Sequence, residues 1–176
     1  NLPVASGIGG GSADAAAAIR LVSRLWGFDL AHPTFHDIAA ALGADVPACL
    51  ASQTVRGDGV GDELTTVDGS QLSRLPLLLL NPRIACPTGP VFKAWDGVDR
   101  GPMSDAVTLD AIASDRNDLE APALSLVPEI GAVLEALAAQ DGVRFVRMSG
   151  SGATCLAIFA SEQARDAAQA RLSHYW

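Results

Sequence analysis

Lysine is almost missing from this chain. Among its 176 residues only Lys93 is one, and no Gly-Lys pair occurs. That excludes the G-x-x-x-x-G-K-[ST] loop, whose lysine amine must reach the phosphates. A basic excess is missing as well: 12 Lys and Arg stand against 20 Asp and Glu, a formal net charge of −8. Such a chain has no spare cations to neutralise a nucleic acid or an anionic membrane surface, so neither is expected as a partner. Cysteine is sparse, and Cys49, Cys86 and Cys155 lie far apart without CxxC spacing. A zinc site and a disulfide framework are therefore not expected, and a reducing, cytoplasmic setting is. Long apolar runs are absent too. The most apolar one, LPLLLL at Leu75–Leu80, is too short to cross a bilayer and reads as a buried strand. No secretory signal, repeat or low-complexity region is visible beyond alanine enrichment. His32, His36 and His174 have no metal-ligand spacing, and no metal-ligating residue is assigned.

What is present is a globular composition, 49% hydrophobic and 18% charged, sized for one domain or two small ones. Ala15, Ile19, Val22 and Trp26 recur at helical spacing and predict a helix over 12–26. Thr34, with Asp37 three residues on, predicts a capped second helix that Gly43 ends. Pro47 is expected to hold Val46 extended and stop any helix there. Short strands should flank a Gly-Asp-Gly turn near Asp58, with Asp58 and Asp62 as turn acids. Residues 68–76 read as a junction, LLLLNP as a strand, and CPTGPVFKAW as a loop entering a short helix. Two helices should flank Pro128, the second burying Ile130, Val133, Leu134 and Leu137. Asn117 and Asp118 read as helix caps. The strand VRFVRM, the turn SGSG (Ser149–Gly152), the strand ATCLAIFA and a helix capped by Ser161 complete the chain.

One stretch carries chemistry. LPVASGIGGGSADAAAAIR, Leu2–Arg20, packs four glycines into five positions directly before a helix. A helix N-terminus presents unpaired N–H groups and the positive end of the dipole, and glycines let that backbone close around phosphate oxygens. Ser12 can cap the helix or donate its hydroxyl to a phosphate or a hydrated metal, and Asp14 reads as a first-turn acid. The G-x-G-x-x-G dinucleotide pattern fails, because a start at Gly7 meets serine at position 12.

PVASGIGGGSADAAAA resembles the phosphate-binding signature of the GHMP kinases, the galactokinase, homoserine, mevalonate and phosphomevalonate kinase superfamily. The resemblance implies an ATP loop formed by Pro3, Val4, Ala5, Ser6, Gly7, Ile8, Gly9, Gly10, Gly11, Ser12 and Ala13. LGADVP resembles the segment carrying the catalytic aspartate in the branch that phosphorylates 4-diphosphocytidyl-2-C-methyl-D-erythritol. That implies Asp45 as the general base for the attacking hydroxyl. GVGDEL, NPRIACPTGPVFKAW, RNDLE and MSGSGATCLAIF resemble the same branch in the same order. Thr88 and Phe92 thereby match positions lining a cytidine pocket, and the loop Met148–Thr154 matches one packed against the nucleotide loop. By residue type alone, Phe92 would be read as core and the Lys93 side chain as solvated.

The implied fold is α+β, a partial N-terminal GHMP kinase domain over 1–74 and most of a ferredoxin-like C-terminal domain over 75–176, with the active site between them. The implied cofactors are ATP and Mg2+, and the implied acceptor is the small-molecule cytidyl substrate. A catalytic lysine and an adenine pocket would belong to a segment upstream of Asn1, so a fragment of a longer kinase is expected. A homoserine- or mevalonate-type kinase and a non-catalytic nucleotide-binding fragment are the alternatives.

Overall fold

The computed structural model describes residues 7–59, 61 and 63–173. They form two compact units, Gly9–Gly69 and the residues from Ser70 on together with Gly7 and Ile8. The first unit holds helices α1 (Gly10–Trp26), α2 (Pro33–Leu42) and α3 (Val46–Ala51), and an antiparallel pair β1 (Val55–Asp58) and β2 (Glu63–Thr66). The alanine run favours α1, and Gly27 in the left-handed region ends it with its N–H on Ser23 O. This helix starts two residues before Ser12, so Asp14 lies outside its first turn. Its buried face is Ala16, Ile19 and Ser23, whereas Val22 and Trp26, whose spacing helped to predict the helix, are exposed. The rotation follows from close packing of small residues: Ala16, Ile19, Ala39 and Val46 make one core cluster. In addition, Ser23 Oγ satisfies itself by donating to Phe28 O at 2.7 Å.

Two expectations about prolines and caps are corrected. His32, not Thr34, caps α2: its Nδ1 accepts the Thr34 N–H at 3.3 Å. Pro33 occupies the first helical position, where its missing N–H is no loss, and this moves the cap to the residue before it. Pro47 does not stop a helix. It sits in the first turn of α3, after Asp45 and Val46, where a first-turn N–H has no helical acceptor to lose. Arg20 then ties α1 to the C-terminal end of α3 by donating to Cys49 O at 2.8 Å.

The second unit runs β3 (Leu77–Leu80), α4 (Thr88–Ala94), α5 (Leu109–Ser114), α6 (Glu120–Leu126), α7 (Glu129–Ala138), β4 (Val143–Met148), β5 (Cys155–Phe159) and α8 (Glu162–Leu172). Its sheet has the order β3-β5-β4, both neighbours antiparallel to β5. First-third-second is the ferredoxin-like order, and helices with antiparallel strands make the class α+β, as expected. Leu78, Leu80, Cys155, Ala157, Phe159 and Met148 share a core cluster with Ile130, Val133 and Leu137 of α7 and Ala168 and Leu172 of α8. Only half of the leucine run is buried. Leu77 and Leu79 are 43% and 46% exposed, because successive side chains along a strand point to opposite faces of the sheet. Ser161 caps α8 as expected, accepting from Ala164 N–H at 3.2 Å. Helix α5, not anticipated, is capped by Thr108 and pinned by Arg147, whose guanidinium donates to Ile112 O and Asp115 O. No helix among the described residues is long and apolar enough to cross a membrane.

Candidate active site

The glycine stretch opens α1 without a side-chain cap. Gly9 is the flanking residue, left-handed at φ 65°, and the Ala13 N–H bonds its carbonyl at 2.9 Å. The N–H groups of Gly10, Gly11 and Ser12 therefore precede the first intrahelical donor, Ala13 N–H, and have no acceptor within the helix. No acidic residue occupies this first turn, which leaves the positive end of the dipole uncompensated by the helix itself. A Cβ built on Gly11 would meet nothing within 4 Å. This helix mouth is open to an anion.

A carboxylate stands beside it. A Cβ on Gly9 would lie 4.0 Å from Asp45 Oδ2. Asp45 flanks the start of α3, but its side chain caps nothing, and it is exposed. The packing of Ala16 against Val46 holds the two helix starts together, and the Arg20 bond to Cys49 O fixes the helices farther along. An anion site with a carboxylate at its rim can bind a phosphate and accept a proton from a group attacking it.

In the second unit the same stretch meets a turn. Gly7 is left-handed at φ 72°, and a Cβ there would overlap Gly152 O and stand 2.7 Å from Ser149 O. Only glycine fits. Ser149 Oγ donates to Gly7 O at 2.7 Å. The turn between β4 and β5 closes through Ser149 N–H on Thr154 O at 2.8 Å and Gly152 N–H on Ser149 O at 3.0 Å. Asn81 Nδ2 donates to Thr154 Oγ1 at 2.8 Å, the Cys86 thiol to Ser151 O at 3.2 Å, and the hydroxyls of Thr88 and Ser151 bond at 3.0 Å. Thr88 and Phe92, four residues apart on α4, are both exposed, while Val91 between them is fully buried.

Two family models match the chain, the GHMP kinases N terminal domain over residues 1–53 and the GHMP kinases C terminal model over 102–176. The chain belongs to the GHMP kinases. Similar proteins in this family include a 4-diphosphocytidyl-2-C-methyl-D-erythritol kinase of Rhizorhabdus wittichii, 58% identical over 98% of this chain and 59% of the relative. One of the same name from Novosphingobium aromaticivorans is 54% identical over 100% of this chain and 60% of the relative. A crystal structure of 4-(cytidine 5'-diphospho)-2C-methyl-D-erythritol kinase matches with a TM-score of 0.77 at 28% identity, over 99% of this chain and 65% of that one. The chain thus spans about three fifths of the length of the curated relatives it matches.

In this GHMP kinase chain the sequence-assigned residues divide as follows. Gly9 to Ala13 and Asp45 come together in the first unit; Gly7 joins the Ser149–Gly152 turn in the second. Pro3, Val4, Ala5 and Ser6, like Asp62 and His174, lie outside the described residues. Phe92 is not core: it is 53% exposed, its ring free to meet a flat partner. Asn117 and Asp118 do not cap α6, which Leu119 flanks. Asn117 Oδ1 accepts the Leu119 N–H ahead of that helix while its Nδ2 reaches Met148 O and Gly150 O, and Asp118 pairs with Arg116 at 2.9 Å. Burial pushes the Cys86 thiol up and Cys155 to about 12, so both stay protonated and inert at neutral pH. Among the described residues no three His, Cys, Asp or Glu side chains gather as a metal cage. The bracing roles of Asn81, Asn117, Ser149 and Ser151 were not legible residue by residue, since their partners lie 31 to 142 positions away. The family-like strings NPRIACPTGPVFKAW, RNDLE and MSGSGATCLAIF pointed to this region.

Proposed function

We propose that this chain is the larger part of an ATP-dependent kinase that phosphorylates the C2 hydroxyl of 4-diphosphocytidyl-2-C-methyl-D-erythritol, a phosphotransferase with an alcohol acceptor working in the cytoplasm on the non-mevalonate route to isoprenoid precursors. The domain portions would be residues 1–74 and 75–176. The observation that carries the reading is the Asp45 carboxylate facing Gly9 at the uncapped start of α1. The amides of Gly10, Gly11 and Ser12 hold phosphate oxygens of ATP. Asp45 takes the proton of the acceptor hydroxyl as its oxygen bonds to the γ-phosphorus; the β–γ bridge breaks and ADP leaves. Magnesium would accompany the nucleotide and supply positive charge to its phosphate oxygens. The Ser12 hydroxyl and the Asp45 carboxylate are hard oxygen donors of the kind it accepts beside phosphates and water.

The acceptor assignment draws on the relatives' names and on the exposed Thr88–Phe92 face of α4. An aromatic ring stacks on any base, so Phe92 supplies affinity and hydrogen bonds must supply the choice of cytosine. The test is ATP-dependent phosphorylation by the complete protein, offered the cytidyl acceptor, homoserine and mevalonate. Turnover of the cytidyl acceptor alone is expected, with Asp45→Asn lowering kcat about 10²- to 10⁴-fold. Preference for another alcohol would replace the acceptor assignment, and an Asp45→Asn loss below about tenfold would remove Asp45 as the base.

A further inference from the structure

The RNDLE string at 116–120 has no part in the chemistry above, yet its side chains grip the turn that touches the glycine stretch. Met148 ends β4, and both of its backbone polar groups are taken from one side. Its N–H donates to Glu120 Oε2 at 3.1 Å, and its carbonyl accepts from Asn117 Nδ2 at 3.0 Å. The same Nδ2 donates to Gly150 O at 2.8 Å. Asn117 is itself locked, its Oδ1 accepting the Leu119 N–H at 3.1 Å and its carbonyl the Glu120 N–H at 3.0 Å. One residue on from Met148, Ser149 Oγ holds Gly7 O at 2.7 Å, two residues upstream of Gly9. A turn of serines and glycines has little stiffness of its own, so its place is set by what it is bonded to.

We propose that Asn117 is a positioning residue for nucleotide binding, acting through the Ser149–Gly152 turn on Gly7 and hence on the loop that enters α1. The inference rests on reading that loop as the phosphate site. Asn117→Asp keeps size and the Leu119 bond but replaces the shared donor with a carboxylate facing two carbonyl oxygens. In the complete protein it should raise the KM for ATP about tenfold, in line with the loss of a half-buried donor. The KM for the acceptor should stay within about twofold. Ser149→Ala should raise the KM for ATP too, and the double variant should be no worse than the worse single one, because both act on one connection.

An unchanged KM for ATP, equal rises for ATP and acceptor with a falling melting temperature, or additive effects of the two substitutions would each overturn the role. If Asn117→Asp fails to fold, Ser149→Ala decides alone: a KM for ATP at the wild-type value sinks the proposal. Wild-type protein that binds no ATP analogue would instead sink the phosphate-loop reading, and this inference with it.

Discussion

Gly11 is a glycine that the fold itself does not require, and that makes it the sharpest test of the phosphate site. It lies inside the first turn of α1, and a Cβ there would meet nothing within 4 Å. Gly11→Ala should therefore stabilise the folded protein. Glycine in a helix interior is worse than alanine by about 0.5–1 kcal/mol, an upper bound this close to the helix start. For a protein of this size 1 kcal/mol is roughly 2–4 °C in Tm. If a phosphate oxygen accepts the Gly11 N–H, the new methyl group intrudes on its approach. A charge-assisted bond of this kind contributes about 1.5–3 kcal/mol, so binding of a non-hydrolysable ATP analogue should weaken about 10- to 150-fold. Calorimetric titration and thermal melting of one pair of proteins read both numbers. A variant that is more stable and binds the analogue as well as wild type would refute the reasoning, since no phosphate could then approach the backbone there. A less stable variant would contradict the open space above Gly11.

Other expectations separate fold from site in the same way. Gly7→Ala should lose about 2–4 kcal/mol in urea melts, from left-handed strain plus overlap with the Ser149 and Gly152 carbonyls; a loss under about 0.5 kcal/mol would contradict that close approach. Phe92→Ala, at a half-exposed position, should leave stability within about 0.5 kcal/mol. It should weaken the cytidyl acceptor by about 1–3 kcal/mol while sparing ATP, and unaltered acceptor affinity would remove Phe92 from the site. Cys155, pushed by burial from 9.0 to about 12, keeps its proton in the folded state where the unfolded chain has lost it. Its contribution to stability is full below pH 9 and falls by about 1.4 kcal/mol per pH unit between 9 and about 12. Cys155→Ala should flatten the drop between melts at pH 8 and pH 10, and equal slopes would show that the thiol is not held protonated.

Local signals carried a good deal of this fold. Alternation and run length marked β3, β4 and β5, the Ser161 cap marked α8, and Pro128 marked the start of α7, because each is decided by residues within a turn or two of one another. The same locality misled at Pro47 and Thr34, where a proline of the first helical turn resembles one that blocks a helix until the neighbouring helices are known. The amphipathic face of α1 was read one step round the helix, since Ala16 is buried by what packs on it rather than by its own hydrophobicity.

By itself the sequence determined that this chain carries a glycine-rich helix start suited to an anion, that it lacks the lysine for the commoner phosphate loop, and that its motifs are those of GHMP kinases. Only the tertiary structure decided that the helix start has no side-chain cap, that Asp45 faces Gly9, that Gly7 is pressed on the Ser149–Gly152 turn, that Phe92 lies open, and that Asn117 grips the end of a distant strand. The reason is one of range. Backbone conformation and capping are set by neighbours along the chain, whereas a site is made of side chains brought together by packing, 36 positions apart for Gly9 and Asp45 and 142 for Gly7 and Ser149.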